Sequence, residues 1–333
     1  MKKNLGLLLI LLLAVMLVGC KKKKPTDIVI AEVTHSVFYA PQYVALTEGF
    51  FEEEGLNVTY TTTPGADKVM AALLSRDCQI GLAGAEASIY VYNQGQADYA
   101  IMFAQLTQKD GNFLVGREKV DNFKFSMLKG SEILGGRRGG MPEMVLEYAL
   151  KENGLVVGRD DSTKEVNVRT DVQFASLAGA FSSGQADYVI LFEPTATLLE
   201  KEGKGYVLTS MGNETGIVPY TNYFTTKSFM EKNPEVIQKF TNAIYKAQQW
   251  VYSHTAEEIA MSCISHFPES TLTDLTKVMK RYKDIEAWAP KPLLEKSNYE
   301  RFMDIMEEAN ELETRAPYEK IITVKFANEA ING

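Results

Sequence analysis

From Asp27 to Ser210 the chain alternates short apolar runs with stretches of helical periodicity, and this alternation constrains the fold more than any other feature of its 333 residues. Strands separated by a helix's length of chain cannot pair as hairpins, so each must be carried past a helix to lie parallel to an earlier one, which makes an α/β protein. The pattern predicts strands over residues 27–33, 56–61, 79–83, 132–134, 166–169, 188–192 and 206–210. It predicts helices over residues 41–51, 66–75, 86–93, 142–153, 175–182 and 194–201, with Pro142 where a first-turn proline belongs. Residues 100–106 and 113–116 read as extended connecting segments. Beyond Tyr223 the chain turns helical: Asn233-Pro234 caps and opens a stripe at Val236, Ile237, Phe240, Ala243, Ile244, Ala247, Trp250 and Val251, and Thr255 to Glu258 fits a capping box. The strand-helix grammar runs twice with no low-complexity linker between the copies, so the chain is expected to cross more than once between two lobes that enclose a cleft. Gly-Gln-Ala-Asp-Tyr also occurs twice, at 95–99 and 184–188, and is read as a coincidence of turns before strands.

The N-terminus sets the compartment. Lys2 and Lys3 precede an uncharged apolar run from Leu5 to Val18 that stops at Gly19-Cys20. As a helix this run would reach about 21 Å, short of a hydrocarbon core of about 30 Å, so it reads as a signal peptide over residues 1–19. Leu17-Val18-Gly19-Cys20 resembles the lipobox of bacterial lipoproteins, which implies a lipid on Cys20 and a Lys-rich tether over 20–24, holding the chain to the extracytoplasmic face of a cell membrane. The first 24 residues hold six of the 35 Lys+Arg and none of the 43 Asp+Glu, which leaves the body at −14. Such a surface argues against nucleic acid as a partner. Cys78 and Cys263 are the only other cysteines and could pair or stay free, and with three histidines and no CxxC or HxxxH spacing neither a metal site nor a cofactor is expected.

Two segments carry a resemblance. Thr34 to Ala45, with Pro41-Gln42-Tyr43 inside it, and then Glu48-Gly49-Phe50-Phe51 to Val58, resemble the opening of the nitrate/sulfonate/taurine and thiamine-pyrimidine-precursor solute-binding proteins. Asp77 to Leu82 before Glu86, the segment from Leu128 to Gly140, Phe192-Glu193-Pro194 and the stretch from Pro234 to Trp250 extend the match over nearly the whole mature chain. The resemblance implies a two-lobed type-II periplasmic-binding-protein fold with extra C-terminal helices, one lobe from residues 25–115 and 217–333 and the other from 116–216. It implies a monomer that captures a small molecule for an ABC permease and its ATPase. Pyrimidine-forming enzymes of this fold carry a cysteine-rich motif that is absent here, so no catalysis is expected.

Candidate site residues follow from strand ends, where open α/β sheets place ligands. His35, Ser36, Phe38 and Tyr39 follow the first strand and could sandwich a planar ligand, or Phe38 and Tyr39 could cap the core. Gly84, Ala85 and Glu86 follow the third, offering helix-start N–H groups to an anion, with Glu86 either a ligand contact or a first-turn charge. In the second block Gly136, Arg137 and Gly139 lie in the turn Gly135 to Gly140, where Arg137 could clamp an anion or stay solvated. Glu193, between Phe192 and Pro194, is placed to meet a cationic or N–H-rich ligand or to cap a helix. Thr107 and Tyr220 on the two crossings and Phe174 beside a helix start complete the set. The expected ligand is a pyrimidine-like heterocycle between Phe38, Tyr39 and Phe174, and the competing one is an alkanesulfonate, taurine, nitrate or similar oxyanion on Arg137.

Overall fold

A computed structural model describes residues 24–333. The signal peptide, Cys20 and the tether up to residue 23 lie outside the described residues. No described helix is long and apolar enough to cross a membrane.

The strands run in chain order as β1 Thr26–Glu32, β2 Leu56–Thr62, β3 Ile80–Gly84, β4 Ala100–Thr107, β5 Phe113–Gly116, β6 Ser131–Leu134, β7 Val157–Arg159, β8 Val166–Arg169, β9 Tyr188–Leu191, β10 Tyr206–Ser210 and β11 Thr221–Thr226. They form two sheets. One has the order β2-β1-β3-β11-β4 and the other β10-β5-β9-β6-β8-β7. In the first, β1, β2 and β3 are parallel and β11 runs antiparallel to both its neighbours; in the second, β7, β8, β6 and β9 are parallel and β5 is antiparallel to β9 and β10. The chain passes from the first sheet to the second after Thr107 and returns before Thr221, which gives the expected two-lobed arrangement.

Several elements differ from the sequence reading. Residues 100–106 and 113–116 are not connectors but the full strands β4 and β5. Nearly every residue of both is buried, so no period-two alternation marks them, and they gain their partners only from β11, β9 and β10, far along the chain. Strand β11 was hidden for a related reason: four of the six residues of Thr221-Asn222-Tyr223-Phe224-Thr225-Thr226 are polar, yet all six are buried. The helix expected over 41–51 is broken into Ala40–Thr47 and Phe50–Glu53 by Gly49, whose φ of 76° ends the first piece. At Asn233 the cap position is right, but the side chain donates to Phe229 O instead of capping the helix Pro234–Ser253. The capping box at Thr255 is present in both directions: Thr255 N–H donates to the Glu258 carboxylate at 2.8 Å and Glu258 N–H to the Thr255 hydroxyl at 3.2 Å. Cys78 and Cys263 are both free and buried.

Gly81 shows how tightly β3 and β11 are joined. It pairs with Phe224, and a Cβ at Gly81 would stand 2.2 Å from the Phe224 ring. Gly81→Ala is therefore expected to destabilise the protein by about 1–3 kcal/mol in urea unfolding. A midpoint unchanged from wild type would contradict that packing.

Candidate functional site

The loop after β1 turns immediately into a short 3-10 segment, Val37–Tyr39, because the Ser36 hydroxyl accepts the Phe38 N–H at 3.2 Å. That turn aims Phe38 at the second lobe. Its ring stacks on Phe192 with centroids 5.2 Å apart, meets Tyr220 edge-on at 5.7 Å and leans on Tyr282 at 5.2 Å. Phe174 extends the group, 5.4 Å from Phe192, and Gly136 lies directly against Phe174. The ring of Phe38 rests on the chain at Gly111, where a Cβ would stand 2.5 Å from it, so only glycine allows that approach. The Ser36 hydroxyl donates to Glu193 O at 2.7 Å, across the two lobes. Ser36, Phe38, Tyr39, Phe174, Glu193 and Tyr220 are thus brought together where the lobes meet.

The polar groups around these rings are mainly acceptors. Glu86 opens the helix Glu86–Asn93 at the end of β3, and one carboxylate oxygen accepts the Met141 N–H of the other lobe at 3.3 Å. The other oxygen is buried with no hydrogen-bond partner among the described residues. Gly84 permits this fold-back, since a Cβ there would collide with that carboxylate. Burial raises the Glu86 carboxyl above its ordinary range, and the nearby Arg137 guanidinium pulls it back only in part. Arg137 itself is half-buried and makes no ion pair among the described residues. Asp110, on the first crossing, accepts the Asn112 N–H and the Asn112 side-chain amide through one oxygen, both at 2.7 Å. The Tyr220 hydroxyl lies beside it and accepts from Asn112 at 3.1 Å, yet the second Asp110 oxygen makes no hydrogen bond of good geometry. Burial pushes the Asp110 carboxyl up to about 7. The side-chain oxygens of Asn112 and Asn222 are likewise buried and unpaired. Thr107 accepts the Thr221 N–H at 3.1 Å, and the Tyr39 hydroxyl lies against Thr221, which fixes the second crossing beside the rings.

Three candidates have their polar groups occupied by the protein. His35 stands apart from the ring cluster: its Nδ1 is 2.9 Å from buried Glu32, its Nε2 2.8 Å from His266 O, and its ring stacks on Phe267 and Tyr60. The Glu32 hydrogen bond raises its pKa. The Glu193 carboxylate is shared between Thr197, through both N–H and hydroxyl, and Arg281 at 2.6 Å. Gly139 donates to Glu143 and accepts from the Tyr90 hydroxyl. Ala85 is buried one residue before the Glu86 helix. Sequence reasoning missed Asp110, Asn112, Arg281 and Tyr282. Asp110-Gly111-Asn112 has the composition of an exposed turn, and only the crossing between lobes buries it; Arg281 and Tyr282 lie on a helix, Leu272–Asp284, whose stripe reads as core.

Among the described residues no three His, Cys, Asp or Glu side chains come together as a metal site. The chain is 44% identical over 314 residues to YtlA of Bacillus subtilis (strain 168), named as a binding protein, covering 94% of this chain and 92% of that one. It is 24% identical over 227 residues to the taurine-binding periplasmic protein of Escherichia coli (strain K12), covering 65% of each. Among solved structures, the alkanesulfonate-binding protein SsuA of Xanthomonas axonopodis pv. citri shares the fold with a TM-score of 0.70 at 14% identity, over 90% of this chain and 99% of that one. The desulfurization enzyme DszB shares it too, at 0.64 and 13% over 92% and 99%, so the fold alone does not separate binding from catalysis. Residues 22–265 match the family model described as NMT1-like. With that match and the similarity to YtlA along nearly its full length, the chain belongs to the NMT1-like family.

Proposed function

We propose that this protein is the extracytoplasmic solute-binding component of an ABC importer. The residues up to Thr107 with those from Thr221 would act as one lobe and β5 to β10 as the other, since β5 pairs in the second sheet and the expected boundary at 115 would cut it, and the two would close on a donor-rich planar solute of the aminopyrimidine class. One observation carries the choice of solute. The buried side-chain atoms left unpaired beside the ring cluster, on Glu86, Asp110, Asn112 and Asn222, are all acceptors. A buried acceptor without a donor costs about 1–3 kcal/mol, so a ligand bringing N–H groups to the edge of the ring cluster relieves the site, while a ligand bearing only oxyanions does not.

A second reading is a zwitterionic aminosulfonate such as taurine. It is favoured by Arg137, unpaired on the glycine turn and close to Glu86, which together would suit a sulfonate and an ammonium on one small molecule, and by the name of the E. coli relative. Thermal shift with aminopyrimidines, taurine, alkanesulfonates and nitrate separates them, alongside mass spectrometry of small molecules released on denaturing the protein. Stabilisation by aminopyrimidines is expected, and stabilisation by taurine alone would transfer the assignment to the second reading. A lipid on Cys20 would anchor the protein to the membrane: Cys20→Ser is expected to move it from the membrane to the soluble fraction, and retention in the membrane would count against that lipid.

A further inference from the structure

Glu193 is gripped at every polar atom it has. Its N–H donates to the Tyr282 hydroxyl at 2.9 Å, its carbonyl accepts the Ser36 hydroxyl at 2.7 Å, and its carboxylate accepts Arg281 Nη1 at 2.6 Å. All three partners lie outside the lobe that carries Glu193, two of them adjacent on the helix Leu272–Asp284. From its own lobe Glu193 keeps only Thr197, which donates through N–H at 2.8 Å and hydroxyl at 2.9 Å. Arg281 reaches further, its Nη2 donating to Glu200 at 2.6 Å, while Lys277 meets Glu200 and Lys201 meets Asp274 around the rim. Glu193 is fully buried and Arg281 about one fifth exposed, so this is a half-buried fork and not a surface pair.

We propose that Arg281 is the positioning residue for lobe closure: it docks Glu193 in a three-point socket and thereby sets the Phe192 ring against Phe38. The proposal rests on the reading of the ring cluster as the solute site, but not on which solute it takes. Parting the lobes would leave the Glu193 carboxylate with Thr197 alone and return Arg281 to water, whereas closing them supplies the carboxylate with its cation and the N–H and carbonyl with their hydroxyls. The planar fork lets one guanidinium hold two carboxylates, Glu193 and Glu200, through separate nitrogens in a fixed geometry, which the single nitrogen of a lysine does not reproduce. Tyr282 links the socket to the crossing, since its hydroxyl also donates to Gly111 O at 3.1 Å, the residue on which Phe38 rests.

Hydrogen exchange read by mass spectrometry on the full chain without added solute tests this. Arg281→Gln is expected to speed exchange at the Glu193 amide, whose acceptor is the Tyr282 hydroxyl of the other lobe, at least tenfold and to enlarge the radius of gyration in small-angle scattering, with protection of β1 and of the Thr197 amide unchanged. Arg281→Lys is expected to fall between the two, and it decides the matter should the Gln variant fail to accumulate. Exchange at Glu193 as slow in the variants as in wild type would overturn the proposal. So would a rise spread equally over β1, which marks general destabilisation, or amides already fast in wild type. Because no solute enters the measurement, a wrong solute class leaves this result intact.

Discussion

Glu86→Gln is expected to weaken solute binding by roughly 30- to 150-fold while making the solute-free protein more stable, a pairing that ordinary damage to a core does not produce. The side chain is shape-matched, so the contact from Met141 N–H to the inner oxygen can persist on the amide oxygen. What changes is the outer atom. In wild type it is a buried carboxylate oxygen with no donor, held in a position where burial already raises the carboxyl. The amide replaces that acceptor with an N–H that opposes a donor on the solute, removing a charge-assisted bond worth about 2–3 kcal/mol. The same replacement lifts the cost of an uncompensated buried charge, so the solute-free protein gains about 1–3 kcal/mol. Isothermal titration with the solute released from wild type gives the first quantity and urea unfolding the second. Loss of stability together with unaltered affinity would place Glu86 in the architecture and not in recognition.

The sequence shows the parts of this protein that obey a local rule. The helices at 66–75 and 86–93 and the strands at 166–169 and 206–210 stand at the predicted residues, because apolar period and flanking turn residues agree there. Even the repeated Gly-Gln-Ala-Asp-Tyr, dismissed as coincidence, marks one local device: Gly95 and Gly184 each leave a helix with positive φ, at 77° and 90°, and each leads into a strand. Elements defined by distant partners were not legible. Strand β11 owes its existence to β3 and β4, and Asp110-Gly111-Asn112 owes its burial to Phe38 and Tyr282. The site divides in the same way. Strand-end position brings Ser36, Phe38, Glu86 and Glu193 to the meeting of the lobes, yet nothing near Glu193 in the chain announces that its charge is answered from Arg281. A strand end brings a side chain to the meeting of the lobes; the opposite lobe decides whether it faces a solute or a partner within the protein.

Asp110 is expected to make both stability and solute affinity depend on pH, in opposite senses. Its carboxyl is pushed up to about 7 in the folded protein by burial, against about 3.9 in an unfolded chain. Between those values the folded state holds the proton and the unfolded state does not, so stability is fully present below about pH 4 and is lost as pH rises through about 7. A carboxyl held about three pH units up corresponds to about 4 kcal/mol over that window. Glu143, raised to about 8 by burial and by Glu147 against the pull of Arg159, and His35, raised by Glu32, add slopes of the same sign. The difference between wild type and Asp110→Asn therefore isolates Asp110, and the variant is expected to lose about that much of the decline between pH 4 and 8. A donor-bearing solute acts on the other side of the balance. By bringing a further donor to the Asp110 carboxylate, the solute stabilises its charged form, so binding expels a proton near neutral pH and affinity rises from pH 5 to 8. Titration calorimetry in buffers of different ionisation enthalpy counts that proton. A wild type that binds with no proton release, or a variant that keeps the full pH slope, would show that Asp110 serves the crossing between the lobes and not the solute.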